Sequence, residues 1–301
     1  MRTSIPIGLV VAASLLAACS SSPEAPSSET APPAPSADRY DATDALRSEL
    51  HADLTGFDLV VTIDHARLAA VEGVTMPPAA VTIFNDPAVT TALLALEPRV
   101  GLDLPFKVLI YEEGGVPAFA YPTASFLAAR HGLTNERALE RYDSVMFSAL
   151  RNVDRDRLAP VGAEGVTRDY GIAELASDFP FAETLTRLEA AVMSQGDTVW
   201  FGRVDLSADA AAQGVTVRPA TLLLFGGPKP GGVAMAQFPK LGLDAFCQKL
   251  LVYEDESGEV KVLFNEIAAF AELHYGRSAK PHGVIDGRLR QTFEGAVRRG
   301  D

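Results

Sequence analysis

The alternation of apolar and polar residues predicts short strands and amphipathic helices between residues 44 and 298. In the first half, four β-rich apolar runs are typical of strands, at 57–63, 80–84, 106–112 and 116–121. Gly114 and Gly115 separate the last two runs, which favours a hairpin. Leu46, Leu50 and Leu54 recur at helical spacing, so a helix is predicted over 44–54. A second helix, over 125–131, follows the last strand.

The same succession occurs twice along the chain. Residues 64–103 align without a gap on residues 205–244, and about 15 of roughly 40 positions are identical. The matches include Gly73-Val74-Thr75 with Gly214-Val215-Thr216, and Gly101-Leu102-Asp103 with Gly242-Leu243-Asp244. The second copy has predicted strands at 198–204, 221–225, 249–254 and 260–264, and predicted helices at 181–194 and 268–275.

The two copies differ at their beginnings. A strand is predicted over 170–176, and Asp178 is the predicted N-cap of the helix that follows it. No clear counterpart of this strand precedes residue 44, so the first copy is expected either to be truncated or to borrow a strand. Two further helices are predicted, one connecting the copies over 136–151 and one ending the chain over 287–298.

The N-terminal segment predicts export and lipid attachment. Arg2 precedes an apolar run over 5–18, which is too short to cross a bilayer and is typical of a secretory signal. The run ends in Leu16-Ala17-Ala18-Cys19, which matches the bacterial lipoprotein box, so Cys19 is expected to be acylated. The alternative is an ordinary cleaved signal followed by a chance cysteine. Ser20 after the cysteine favours the outer membrane, facing the periplasm, if the cell is Gram-negative.

Composition and charge disfavour some classes of binding partner. The net charge is −13 and the basic residues are dispersed, which disfavours nucleic acid and anionic lipid head groups as partners. The tract 19–41, rich in Ser, Pro, Ala and Glu, is expected to be a disordered tether. Cys247 is the other cysteine, and it is interpreted as a small buried hydrophobe, with a reactive thiol as the alternative.

Five polar side chains are candidate ligand contacts, each with a structural alternative: His65, Asp64, Asp205, His131 and His274. Asp64 and Asp205 each close a predicted strand, so the alternative is an N-cap of the following Ala-rich turn. His131 and His274 occupy matching positions late in a helix, where a cation interacts favourably with the helix C-terminus. His65 is replaced by Leu206 in the second copy. No metal-ligand motif, phosphate-binding loop or cofactor fingerprint is found, and the Gly-rich stretch 225–232 is interpreted as a turn.

These residues resemble the DUF302 family of small α+β domains. The resemblance rests on Ile63-Asp64-His65, Ile83-Phe84-Asn85-Asp86-Pro87, Leu102-Asp103-Leu104-Pro105 and Val108-Leu109-Ile110-Tyr111-Glu112. It covers most of 45–133 and most of 172–276, although the second copy departs at Asp205-Leu206 and Ala245-Phe246. The family implies a TATA-binding-protein-like unit, ordered strand, helix, four strands, helix. It has no established activity.

Together these observations predict an α+β fold made of two tandem β-α-β(4)-α two-layer units, with helices on one face of an antiparallel or mixed sheet. The expected segments are a signal peptide (1–18), the tether (19–41), copy 1 (42–133), a connecting helix and linker (134–167), copy 2 (168–282) and a terminal helix (283–301). The expected function is a lipid-anchored, non-catalytic binding module in which the two repeats pack as a pseudo-symmetric pair. It would bind a small apolar ligand or an envelope protein without a cofactor. The alternatives are an envelope scaffold, or an enzyme with a site near His65.

Overall fold

The computed structural model describes residues 39–299. The predicted signal peptide, Cys19 and most of the predicted tether lie outside these residues. Within 39–299, no helix is both long enough and apolar enough to span a bilayer.

Two units of similar element order follow one another, and their elements are as follows. Unit 1 contains α1 (Asp41–Asp53), β1 (Asp58–Asp64), α2 (His65–Val71), β2 (Ala79–Asn85), α3 (Pro87–Leu94), β3 (Phe106–Glu113), β4 (Val116–Pro122), α4 (Ala124–His131), α5 (Glu136–Ala149) and β5 (Leu158–Val161). Unit 2 contains β6 (Ile172–Ala176), α6 (Phe181–Met193), β7 (Val199–Asp205), α7 (Leu206–Ala212), β8 (Ala220–Gly226), α8 (Pro228–Met235), β9 (Gln248–Glu254), β10 (Val260–Asn265), α9 (Ile267–Tyr275) and α10 (Lys280–Val297).

Each unit forms one five-stranded sheet, and this confirms the predicted α+β class. The strand orders are β1-β2-β3-β4-β5 and β6-β10-β9-β8-β7. The predicted opening strand of the second copy is β6, which pairs antiparallel with β10. In unit 1 the corresponding edge is occupied by β5, which follows α5 in the chain and pairs parallel with β4. Unit 1 thus completes its sheet with a strand from the segment that joins the units.

Three local predictions are wrong. The Gly-rich stretch after β8 is not a simple turn but opens helix α8, because a proline at the first helical position needs no N–H donor. Asp178 is not the N-cap of α6; that position is Pro180, and the carboxylate of Asp178 lies 3.1 Å from the guanidinium of Arg298. The terminal helix begins at Lys280 rather than at residue 287.

Both faces of the first sheet are covered. On one face, the ring of Phe106 stacks on Tyr142 of α5 with 4.7 Å between centroids, and on Phe84 with 5.6 Å. On the other face, Lys107 and Leu109 of β3 point toward unit 2. β2 is buried along its whole length as a result. This explains why its sequence shows a continuous apolar run instead of alternation.

The contacts between the units are reciprocal. A Cβ on Gly101 would lie 2.9 Å from Leu206 Cδ1, and a Cβ on its repeat counterpart Gly242 would lie 2.9 Å from Leu109 Cδ1. Both distances are shorter than van der Waals contact, so each glycine permits the opposite unit to approach. Helix α2 of unit 1 packs on α8 of unit 2, and α7 of unit 2 packs on α3 of unit 1. The helices therefore make the same reciprocal contact as the glycines.

Candidate functional site

Charged side chains are buried where the two units meet. They form what we call the buried ionic cluster, which consists of Asp103, Lys107, Arg130, Asp244 and Lys249, joined by His131 and His274. The five charged residues are each no more than 3% exposed. Asp103 and Lys107 correspond to Asp244 and Lys249 in the repeat, so the two units contribute matching parts.

Lys107 connects the acids of the two units. Its Nζ lies 3.1 Å from Asp103 Oδ1 in its own unit and 2.9 Å from Asp244 Oδ1 in the other. Burial opposes the charge on Lys107, but the two carboxylates outweigh burial and raise its pKa. Burial likewise opposes ionisation of Asp244, and Lys107 and His274 outweigh it, so the pKa of Asp244 is lowered. The carboxylates and the ammonium therefore remain charged inside the protein.

Arg130 extends from α4 of unit 1 into unit 2. One guanidinium nitrogen donates to Asp103 Oδ2 at 2.6 Å, and another donates to Asn265 Oδ1 at 2.6 Å. Nε donates to the carbonyl oxygen of Tyr170 at 2.9 Å. The Asn265 amide in turn donates to the carbonyl oxygen of Asp244 at 2.7 Å. In the repeat alignment the counterpart of Arg130 is Leu273, so this side chain breaks the symmetry of the cluster.

The two predicted histidines belong to the same cluster. His131 Nε2 lies 2.7 Å from Asp103 Oδ2, and His274 Nε2 lies 2.9 Å from Asp244 Oδ2. Burial lowers the pKa of His131 in spite of the neighbouring carboxylate. A neutral His131 that donates from Nε2 leaves Nδ1 as an acceptor, and this atom is buried without a partner. Both side chains are bound to protein groups, and their role as ligand contacts stays a prediction.

Lys249 differs from its counterpart Lys107. Burial, and then the charge of Lys107, lower the pKa of Lys249 to about 7. With Lys249 neutral, the cluster holds two cations, Lys107 and Arg130, against two carboxylates. The charges are then balanced, which is the arrangement that a water-excluded interior favours.

His65 lies at the contact between α2 and unit 2. It is 6% exposed, its Nε2 has no hydrogen-bond partner, and burial lowers its pKa to about 4. It lines a cavity of about 20 Å³ with Cys247 and the glycines of α8. That volume holds little more than one water molecule. Cys247 is buried as predicted, and burial raises its thiol pKa to about 12, so it is not a ready nucleophile.

Asp64 and Asp205 are N-caps, which confirms the structural alternative for both. Asp64 accepts from the backbone N–H of Arg67, and Asp205 accepts from that of Ala208, each at 2.9 Å. Asp64 Oδ2 also lies 3.1 Å from the guanidinium of Arg47. Among residues 39–299, no group of three or more His, Cys, Asp or Glu side chains is arranged to hold a metal ion.

A cleft of about 470 Å³ opens in unit 1, away from all five predicted contacts. We call it the α5–β5 cleft. It is lined by residues of β4, the end of α5, the following turn and β5: Tyr121, Phe147, Leu150, Arg151, Val153, Arg155, Leu158 and Pro160. Phe147 is 69% exposed there. An adjoining cleft of about 230 Å³ shares Val153 and includes Glu49, Asp154 and Arg157.

The cleft exists because α5 is shorter than its counterpart. Helix α5 has 14 residues and α10 has 18, a difference of about one helical turn. In unit 2 the last turn of α10 buries Ala296 and Val297, and the Val297 carbonyl accepts from the N–H of Asp178, just beyond β6. In unit 1 the chain leaves the helix at Leu150 instead and turns back to form β5. The edge of the sheet therefore stays open beside α5.

Sequence reasoning missed both the cluster and the cleft. The repeat aligns Asp103 with Asp244 and Lys107 with Lys249, and both lysines lie in otherwise apolar strands. A lysine recurring inside two buried strands, each preceded by an aspartate, was the signal for the cluster. The cleft had no such signal, because it depends on where α5 ends and how the chain returns.

Both copies of the repeat match one protein family. The chain belongs to the family described as Domain of unknown function DUF302, which matches residues 35–149 and 173–293. The first matched stretch includes helix α5, and the second extends into helix α10. A crystal structure of an uncharacterized conserved DUF302 protein from Bacillus stearothermophilus is similar with a TM-score of 0.35 and 14% identity, over 42% of this chain and 95% of that one.

Curated relatives match a single part of the chain. Proteins named fluoride-specific ion channel FluC 1, from Brucella suis and Brucella abortus, are 37% identical to it over 106 residues. FluC 2 of Brucella melitensis matches to the same extent. The match covers 35% of this chain and 41% of the Brucella suis protein, so the chain spans less than half the length of these relatives.

Replacing Lys107 tests whether the cluster holds the units together. Lys107→Met leaves Asp103 and Asp244 buried without their shared cation, and we expect the free energy of unfolding to fall by about 3–5 kcal/mol. Lys261→Met, which removes a lysine paired near the surface, is the matched control and should cost about 1 kcal/mol or less. Urea denaturation of both variants measures this. Adding Asp244→Asn to Lys107→Met should recover part of the loss, and equal stability of the two lysine variants would refute the role of Lys107.

The lowered pKa of Lys249 predicts a pH dependence of stability. Between pH 7 and 9 the unfolded chain binds this proton and the folded protein does not, so the free energy of unfolding gains from Lys249 as pH rises. The gain is up to about 1.4 kcal/mol per pH unit. Lys249→Met should remove this part of the slope and should stabilise the protein most at pH 7. Urea titrations at several pH values measure the slope, with Lys261→Met as control; an unchanged slope in Lys249→Met would contradict the assignment.

Proposed function

We propose that this chain is a lipid-anchored protein of the cell envelope, attached through Cys19, whose folded part is a non-catalytic binding module with its ligand site in the α5–β5 cleft. The observation that carries the binding role is the cleft itself. Its volume of about 470 Å³ lies within the range of small-molecule sites, and most of its lining is apolar.

The positions of the titratable groups support binding over catalysis. The charged and imidazole groups of the buried ionic cluster lie close together, but each carboxylate already has protein partners. A catalytic group has to reach its substrate, and these side chains are enclosed. The alternative enzyme site at His65 is disfavoured, because the adjoining cavity of about 20 Å³ leaves no room for a substrate.

The contact between the units supports a single working module. Lys107 of unit 1 neutralises Asp244 of unit 2, and Arg130 bonds to Asn265 across the same contact. The cleft lies in unit 1, beside the shorter helix α5. Unit 2 pairs with the buried charged groups of unit 1 and so completes the interior between the units. The match to the fluoride-channel proteins gives no support for channel activity, since it covers 35% of this chain and less than half of those relatives.

The anchor is tested by metabolic labelling with an alkyne analogue of palmitate in the native bacterial host. The wild type should carry the label and sediment with membranes, and Cys19→Ala should lose the label. Cys247→Ala is the matched control, because it removes the chain's other cysteine; it should label like the wild type. A label that persists in Cys19→Ala, or is absent from the wild type, refutes the anchor.

Binding in the cleft is tested with Nile red, a neutral apolar dye whose fluorescence increases in apolar sites. The wild type should bind it saturably, and Phe147→Asp should bind it at least about tenfold more weakly, because the ring contributes an apolar wall. Val284→Asp is the matched control, since Val284 is also exposed but lies on α10 away from the cleft. Absence of saturable binding to the wild type would reject the binding module and favour the scaffold alternative.

A further inference from the structure

We propose that the α5–β5 cleft selects a single-chain amphiphile with a monoanionic head group, that is, a long-chain carboxylate. This inference rests on the proposed function, because it names the ligand class of the same site. It is carried by the juxtaposition of an unneutralised arginine with an apolar cleft in a strongly acidic protein.

The first observation is the charge state of the two arginines that line the cleft. Arg151 is neutralised, since its guanidinium lies 2.9 Å from Asp53 Oδ1 and also donates to the carbonyl oxygen of Asp53 at 3.2 Å. Arg155 differs: among residues 39–299, no carboxylate lies within ion-pair distance of its guanidinium. Among the residues that line the cleft, Arg155 is therefore the one cation left to pair with an anionic ligand.

The second observation is the chemistry of the walls. Apart from the two arginines and the Tyr121 hydroxyl, the lining side chains are Phe147, Leu150, Val153, Leu158 and Pro160, which offer no hydrogen-bonding group. A peptide would bury amide groups against such walls without partners, and each unpaired group costs free energy. An unbranched hydrocarbon chain has no such groups and gains from every methylene that it buries. The walls therefore favour an alkyl chain over a peptide.

The charges around Arg155 limit the head group to a single negative charge. Asp154 and Asp156 flank it in the chain, and Glu49, Asp154 and Arg157 line the adjoining cleft. Because the lining of the α5–β5 cleft offers one unpaired cation, the second charge of a dianionic phosphate would face these carboxylates without a lining cation of its own. A guanidinium also matches a carboxylate in its fork geometry, with two parallel N–H donors. A monoanionic carboxylate on an alkyl chain satisfies both conditions.

The test uses the full chain carrying Cys19→Ala, so that no acyl group of the protein competes. The probe is 11-(dansylamino)undecanoic acid, and the competitors are dodecanoate and dodecanol at concentrations below micelle formation. Dodecanoate should displace the probe at least about tenfold better than dodecanol, as a charge-assisted hydrogen bond to Arg155 predicts. Affinity should rise about fourfold for each methylene from octanoate to dodecanoate.

Variants separate this inference from the proposed function. Arg155→Gln should abolish the preference for dodecanoate over dodecanol, while saturable binding of Nile red shows that the cleft is still formed. Arg141→Gln is the matched control, since Arg141 is exposed on helix α5 and does not line the cleft; it should keep the preference. Equal displacement by acid and alcohol in the wild type, or a preference that survives Arg155→Gln, overturns the inference while Nile red binding upholds the site. Binding to vesicles of phosphatidylglycerol without binding of the soluble probe would instead indicate a membrane surface as the partner, and would also overturn it.

Discussion

The fold depends on two carboxylates that are buried between the units and need cations from both of them. Asp103 and Asp244 are almost fully enclosed, and removing a carboxylate from water costs several kcal/mol unless a cation and hydrogen bonds replace the water. Lys107 lies within 3.1 Å of both. Neither sheet can therefore complete its inner face alone. A unit 2 without unit 1 would retain Asp244 with His274 as its remaining partner, so the neutral interior exists only when the units are joined.

The duplicated unit shows how a symmetric contact becomes asymmetric while the contact itself is kept. Gly101 and Gly242 each allow the opposite unit to approach, and both copies keep an aspartate and a lysine at matching positions. The aspartate of copy 2, however, pairs with Lys107 and not with Lys249. The two copies differ where aligned positions carry different residues: Arg130 aligns with Leu273, and His65 aligns with Leu206. Arg130 adds a third cation, and the lowered pKa of Lys249 offsets it by making that lysine the one that loses its proton. The additional positive charge of Arg130 is thus offset by the loss of positive charge at Lys249.

The sequence predicted most of the architecture, because strands and helices of this length are determined by local periodicity. The hairpin of β3 and β4, its counterpart of β9 and β10, and the N-caps Asp64 and Asp205 follow from residues adjacent in the chain. Features that need distant residues were predicted only in part or not at all: a borrowed strand was one of two expectations for copy 1, but its place in the chain was not identified. β5 joins the sheet through a return of the chain after α5, and the ionic cluster combines β3, α4 and β9 with the segments before β3 and β9. The α8 helix was missed because its glycines and prolines resemble a turn, although prolines in a first turn leave the helix intact.

The position of the cleft follows from the same duplication. Two equivalent helices pack on the outer faces of the two sheets, and the longer one, α10, covers its edge strand with its last turn. Helix α5 is about one turn shorter, so unit 1 lacks that cover, and Phe147 near the end of α5 is exposed beside the open edge. The buried cluster lies on the opposite face of the sheet from that edge, because Lys107 points toward unit 2 and Phe106 points toward α5. Unit 1 can therefore present an open apolar surface with arginines beside it without interrupting its contact with unit 2.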